Sequence, residues 1–335
     1  LTLAILLGSI WAYYELGWGG YWFWDPVENI VLLPWLAGTA FTHSLIYSRN
    51  KILLSWMVFL GISTFLLSIL GSFIVRSGIL NSVHSFASDP SRGVFLLSLF
   101  AIFAFSSLGL FFSKSVLLKS NWPELMSKQY LLLLNNIVLL VILLIVFLGT
   151  LYPIVTEVFY EQKLSIGPDY FSSLISPLVF VLIGLFLAEQ FLSNLKANKK
   201  NTLLLLGFFA LIFLVLFITD LSPINLSLLF VFLVLVILLM RALAELVLTK
   251  DIKIMHKVLG HLSVVMLTLA VLTNHQYSES IDVKLKPGDQ VEFSGSTLKL
   301  NSINIEGKEN FDTGVARSVS YTHLTLPTSH IVGVA

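Results

Sequence analysis

Apolar residues run through this chain in blocks of about twenty, separated by short polar connectors. A bilayer core about 30 Å thick takes roughly 20 such residues in a helix. Blocks of this kind fall at residues 1–14, 30–47, 52–74, 93–113, 130–151, 174–192, 203–219, 225–248 and 258–274. Lipid offers the backbone no hydrogen-bond partners, so the pattern predicts nine helices, the first of them cut short at Leu1. The connectors alternate in charge. One set holds Arg49 and Lys51; Lys114, Lys119 and Lys128; Lys196, Lys199 and Lys200; and Lys250, Lys253 and Lys257. The other set holds only Arg76, Arg92 and Lys163. Basic connectors stay on the cytoplasmic side, so the poorly charged set is expected to face outward.

After Asn274 the blocks give way to alternation, as in Val283-Lys284-Leu285-Lys286 and Thr297-Leu298-Lys299-Leu300. Turn signals stand at Pro287-Gly288-Asp289 and Gly295-Ser296. This predicts a small extramembrane β-rich segment over 275–319. Residues 320–335, beginning Ser320-Tyr321-Thr322-His323, do not continue the alternation and resemble a translated sequencing adapter. They are set aside as a non-native tail, together with His323 and His330. The expected organisation is an all-α polytopic membrane domain over 1–274, with loops at 15–29 and 75–92 facing outward, followed by the β-rich segment.

Composition sharpens the membrane reading. The chain has 335 residues, 56% hydrophobic and 12% charged, against roughly 45–50% and about 25% in a soluble domain. A net charge of +1 says nothing about nucleic acid, and no basic run points to such a partner, so none is expected. Cysteine is absent, so disulfides, thiolate metal sites and a thiol nucleophile are excluded from these residues. The apolar start at Leu1 has no basic region before it and reads as a chain that begins mid-protein.

The chemistry concentrates in the outward loop Trp18-Gly19-Gly20-Tyr21-Trp22-Phe23-Trp24-Asp25-Pro26-Val27-Glu28-Asn29. Interfacial belts explain one or two tryptophans, not this density beside two glycines. Gly19 and Gly20 let the backbone approach something flat, and large rings supply apolar area at low entropic cost. Asp25 and Glu28 suit either a functional role or the N-terminal cap of the next helix. His43 lies well inside the second block if that helix is straight, or shallower if Pro34 bends it; an intramembrane ionisable residue is a functional candidate by default. His84 sits in the outer loop with the cationic Arg76 and Arg92, although Arg92 suits a helix cap equally well. His261 opens the last block, His256 reads as solvated and His275 as interfacial. Zinc requires three or four clustered ligands, which the sequence does not present. Heme requires one or two histidines, apolar walls and cationic partners, and fits better.

The tryptophan loop resembles the WWD signature of heme-handling proteins of cytochrome c maturation. The resemblance is narrowed by Pro34-Trp35-Leu36-Ala37-Gly38-Thr39-Ala40, His43-Ser44-Leu45, Arg76-Ser77-Gly78-Ile79-Leu80, Ser82-Val83-His84-Ser85-Phe86-Ala87 and Gly260-His261-Leu262. Over about residues 11–317 the chain is similar to the CcmF/NrfE family of heme lyase subunits. That resemblance implies a multi-pass protein of the bacterial inner membrane with its active site facing the periplasm. It implies heme received from a CcmE-like chaperone and held over the loop by Trp18, Gly19, Gly20, Trp22, Trp24 and Asp25, with His43 and His84 as axial ligands. It also implies a b-type heme inside the membrane, with His261 as the later ligand and the earlier one upstream of Trp18. The reaction implied is thioether formation with the Cys-x-x-Cys-His motif of apocytochrome c, assisted by CcmH/CcmI-like subunits. The other readings are a heme-delivery protein without ligation activity and a solute transporter. A transporter would show Gly/Pro-broken helices in repeated halves, a pattern the sequence does not display.

Overall fold

The computed structural model describes residues 1–15, 21–48, 51–78, 89–114, 118, 120–125, 127–160, 164, 166–195, 223–249, 254–278, 281, 283–308, 311–322 and 328–334. Eight helices lie among them: α1 Thr2–Glu15, α2 Pro26–Ser48, α3 Leu54–Ser77, α4 Pro90–Lys114, α5 Lys128–Tyr160, α6 Pro168–Leu195, α7 Pro223–Thr249 and α8 Ile254–Tyr277. They match eight of the nine expected spans. The ninth, at 203–219, lies outside the described residues. Six of the helices, α2 to α6 and α8, are long and apolar enough to cross a membrane. The protein is a multi-pass membrane protein.

All the helices end later than hydropathy suggests, and all but α1 and α3 start earlier, because caps lie in the polar zone beyond the apolar block. α2, α4, α6 and α7 each begin on a proline, where the missing N–H is no loss and φ is already helical. α5 begins behind Ser127, whose Oγ accepts from the Tyr130 N–H at 3.1 Å. It runs on through Pro153 for 33 residues, well past the apolar block at 130–151. α3 stops at Gly78, whose φ of 74° is the left-handed conformation that ends helices.

The chain divides into two units, Leu1–Ile10 with Gly20–Gly207, and Trp11–Gly19 with Phe208–Ala335. In the first, α2 is central. Its Leu33, Leu36 and Ala40 meet Leu60 of α3, Leu139, Ile142 and Val146 of α5, and Phe171 and Ile175 of α6. The three- and four-residue spacings put each set on one helical face. At one end of this bundle, Ile30 of α2 packs with Ile74 of α3 and Leu151 of α5. At the other, the α4–α5 connector is clipped to the start of α3: the Leu54 N–H donates to Ser120 Oγ and Ser55 Oγ donates to Leu118 O. There Lys128 also pairs with Glu189 at 3.3 Å. The first is the tryptophan-loop end and the second the lysine-rich end.

In the second unit α7 packs on α8, and the C-terminal part is an antiparallel sheet in the order β1 Gln290–Phe293, β2 Ser296–Lys308, β3 Phe311–Thr322, β4 Thr328–Val334. Ser294 and Gly295 both take positive φ, 46° and 74°, which makes the β1–β2 connection a tight hairpin turn. Pro287 and Gly288 form the turn that the sequence signals, with the Asp289 N–H donating to Lys286 O at 2.9 Å. A bulge falls between Leu300 and Ser302. The stretch set aside from residue 320 onward contributes the end of β3 and all of β4.

α5 and α6 approach closely at Gly149, where an added Cβ would come 2.7 Å from ring carbons of both Phe171 and Tyr170. Phe171 is fully buried and has nowhere to move. Gly149→Ala is therefore expected to destabilise the bundle by about 1–3 kcal/mol. A lowered midpoint in thermal unfolding of the detergent-solubilised protein would register it.

The α3–α4 loop gives a second expectation. Asp89 caps α4: its Oδ1 accepts from the Ser91 hydroxyl at 2.6 Å and from the Ser91 and Arg92 N–H groups, and its Oδ2 meets Arg92 Nε at 3.2 Å. The Ser91 hydroxyl, then the Arg92 N–H, hold its carboxyl below the ordinary range. A group depressed in the folded state stabilises above its unfolded pKa and loses that contribution as pH falls through the folded value. The first turn of α4 should therefore exchange amide protons faster in acid. Asp89→Asn should show that faster exchange already at neutral pH.

Candidate functional site

The tryptophan loop is described from Tyr21 onward; Trp18, Gly19 and Gly20 lie outside the described residues. From Phe23 to Asn29 its shape comes from a reciprocal cap. Asp25 is the N-cap of α2, with Oδ2 accepting from the Val27 N–H at 3.0 Å. Glu28, three residues later and buried, returns Oε2 to the N–H groups of Asp25 at 3.1 Å and Phe23 at 2.9 Å. Asn29 Nδ2 donates to Trp24 O at 2.9 Å. These bonds hold Trp24 at a φ of 57°, a left-handed conformation uncommon for a bulky residue.

That conformation sorts the rings. Trp24 turns into the bundle and stacks on Phe171, with centroids 4.9 Å apart and planes 11° apart. Trp22 meets Trp24 edge to face at 5.9 Å. Tyr21 and Phe23 are left exposed. Trp22 and Trp24, taken from the sequence as a flat platform, thus shape the loop, while the open rings are their neighbours. Trp22 Nε1 is buried and meets no acceptor among the described residues. Trp22 and Glu28 also border a groove of about 190 Å³ against Ala4 and Ile5 of α1.

The outer histidine loop joins the same end. His84 lies outside the described residues, but the base of its loop does not. The Asp89 N–H donates to Arg76 O at 3.0 Å, closing the loop where α3 ends. Ile74, three residues before Ser77, packs on Ile30 in the first turns of α2. The base of the His84 loop and the tryptophan loop therefore share one end of the bundle. Arg92 is engaged by Asp89 at the α4 cap.

His43 is elsewhere. α2 is one helix from Pro26 to Ser48 with Pro34 inside it, so His43 stands roughly 25 Å along the axis from the loop. Pro34 does not interrupt α2, so one continuous helix joins the loop to His43. His43 Nδ1 is 3.2 Å from Asn135 Nδ2 of α5. The neighbouring pair repeats the contact: Asn136 Nδ2 donates to Ser44 Oγ at 2.8 Å. In the second unit, His261 is partly buried on α8, three residues into the apolar span that begins at Val258. His275 is exposed near the helix end.

The donor set suits heme: single imidazoles in apolar helices, exposed rings at the loop, and a buried indole N–H in want of an acceptor. Among the described residues no three His, Asp or Glu side chains converge as a metal cluster. Sequence reasoning passed over Asn29, Asn135 and Phe171. Only Asn135 had a visible signal, since it and Asn136 interrupt an otherwise apolar block.

Residues 1–80 match the family described as cytochrome C assembly protein. The chain is 39% identical over 315 residues to the cytochrome c-type biogenesis protein CcmF of Pseudomonas aeruginosa, covering 88% of this chain and 48% of that protein. It is 35% identical to CcmF of Escherichia coli, covering 94% and 51%. To the probable cytochrome c-type biogenesis protein NrfE of Escherichia coli it is 33% identical, covering 96% and 49%. The chain spans about half the length of these relatives. In fold it is similar to a solved structure titled cytochrome c heme lyase CcmF, with a TM-score of 0.68 and 21% identity over 99% of this chain and 55% of that one. The chain belongs to the CcmF/NrfE family of cytochrome c-type biogenesis proteins.

Proposed function

We propose that this chain is part of a heme lyase subunit that takes heme from a CcmE-like chaperone and attaches it to Cys-x-x-Cys-His motifs of apocytochrome c. The observation that carries the reading is the convergence at one end of the bundle of the rigid tryptophan loop and the base of the His84 loop. The small number of basic residues at that end supports an outward, periplasmic orientation in a bacterial inner membrane.

Heme is substrate at this end. His84 is proposed as its axial ligand, Tyr21 and Phe23 as open rings against which it rests, and Trp18, Gly19 and Gly20 as the approach surface. Trp22, Trp24 and Asp25 act by holding the loop in shape. Joining heme to the cytochrome forms one C–S bond per vinyl group: the thiol sulfur bonds one vinyl carbon and the thiol hydrogen goes to the other. Both thiols come from the apocytochrome, consistent with the absence of cysteine here. The addition is neutral in electrons, so the protein's contribution is orientation of two bound partners. CcmH/CcmI-like subunits are the proposed source of the reduced thiols.

A second role lies within the membrane. The depth of His43 supports its acting as a ligand to a membrane-embedded b-type heme, in place of the outer role expected from sequence. His261 is proposed as a membrane-heme ligand, as the resemblance implies. A b-type heme so held supplies one-electron chemistry.

Three variants of the full-length protein test these assignments. His84→Ala should abolish capture of the heme-loaded chaperone; normal capture would remove that histidine from the outer site. His43→Ala and His261→Ala should each lose b-type absorbance, and a full spectrum in either would show that side chain to be structural. Maturation of cytochrome c in a strain lacking its own lyase subunit separates ligation from delivery: heme bound without thioether product would favour the delivery reading.

The loop clamp gives a further expectation. Glu28→Ala removes the shared acceptor of two part-buried N–H groups, at up to about 1–3 kcal/mol each. Chaperone-delivered heme should then bind weakly while the b-type spectrum stays intact. Loss of both, or of neither, would count against the division into two heme roles.

A further inference from the structure

Resting on the reading that His43 ligates a heme iron, we infer that Asn135 is the positioning residue that accepts the Nδ1 proton of ligating His43 and sets its strength as a ligand. An imidazole binds iron through Nε2 only when that nitrogen carries its lone pair, and the ring proton then sits on Nδ1. Asn135 stands at Nδ1, with its amide nitrogen 3.2 Å away. In that orientation the amide donates to Nδ1 and leaves the proton on Nε2, the form that cannot ligate. Amide oxygen and nitrogen are nearly equal in size and shape. A half-turn brings Oδ1 to the same place, where it accepts from Nδ1–H and frees the Nε2 lone pair for iron. One side chain thus accommodates either tautomer, and iron ligation selects the second.

The next rung keeps Asn135 in place. Asn136 donates to Ser44 Oγ at 2.8 Å, and Ser44 Oγ donates to Ala40 O at 3.0 Å. Asn136 and Ser44 are both fully buried. Sliding α5 by one residue on α2 would strand these groups away from any partner, at about 1–3 kcal/mol each. The amides also stand between Leu131-Leu132-Leu133-Leu134 and Ile137-Val138-Leu139-Leu140, where a polar side chain is costly without a task. Asn136 has a packing task in this rung, and the acceptor role gives Asn135 one of its own. A carbonyl acceptor on Nδ1–H makes Nε2 a stronger donor, which favours the oxidised iron and lowers the heme potential.

The test compares full-length wild type, Asn135→Leu, Asn135→Asp and His43→Ala, purified in detergent, by b-type heme content, rate of heme loss to apomyoglobin and midpoint potential. Asn135→Leu should hold heme about 10-fold less tightly or worse, and what remains should titrate at a higher potential. Asn135→Asp, the stronger acceptor, should restore retention and move the potential below wild type. Loss of absorbance in His43→Ala, with both Asn135 variants at wild-type retention and potential, overturns the role of Asn135 and leaves the ligand reading standing. Undiminished absorbance in His43→Ala overturns the ligand reading and Asn135 with it. If Asn135→Leu fails to accumulate, Asn135→Asp decides alone: a wild-type potential there overturns the proposal.

Discussion

Lipid supplies no hydrogen bonds, so polar side chains in the apolar helices of this protein turn to the chain for partners, although Trp56 Nε1 and Asn136 Oδ1 meet none among the described residues. Within single helices the hydroxyls of Thr39, Ser44, Ser63, Thr64 and Thr150 return to the carbonyl one turn back. Between helices, His43 and Ser44 of α2 face Asn135 and Asn136 of α5. At the helix ends, caps tie off backbone groups that the helix leaves open. This constraint makes α2 the axis of the first unit, because it carries both a capped loop at one end and the paired histidine near the other.

The cap at the start of α2 is local in sequence and larger in effect. Asp25 and Glu28 satisfy the first N–H groups of the helix, and Glu28 also reaches back to Phe23. That reach, with the Asn29 bond to Trp24 O, fixes the loop before any ligand arrives. Trp24 is then held against Phe171, a stack worth about 0.5–1.5 kcal/mol beyond the area it buries. The loop is therefore braced by two helices far apart in sequence, α2 and α6. A preorganised surface of this kind loses little entropy when a rigid macrocycle settles on it.

Much of the plan is legible without coordinates. Block length announces the helices, because the bilayer sets it, and alternation with turn residues announces the sheet. Asp25-Pro26-Val27-Glu28 reads as a helix start. The depth of His43 was not legible: a proline at Pro34 allows either a bend or a straight helix, and which occurs depends on neighbours that pack around α2. The sorting of rings was not legible either, since Trp22, Phe23 and Trp24 are equally apolar and only the left-handed turn at Trp24 decides which face inward.

The sequence by itself determined the membrane as solvent, the places of the eight described helices, the sheet at the C-terminal end, and the family through its tryptophan loop and histidine motifs. These are local or compositional properties, and chain chemistry suffices for them. Tertiary structure decided which residues meet. It set the tryptophan loop beside the base of the His84 loop through Ile30 and Ile74, put Asn135 against His43, and used Phe171 as a wall for Trp24. Contacts between helices depend on which apolar faces interlock, and many faces of this chain are apolar enough that only their packed arrangement chooses among them.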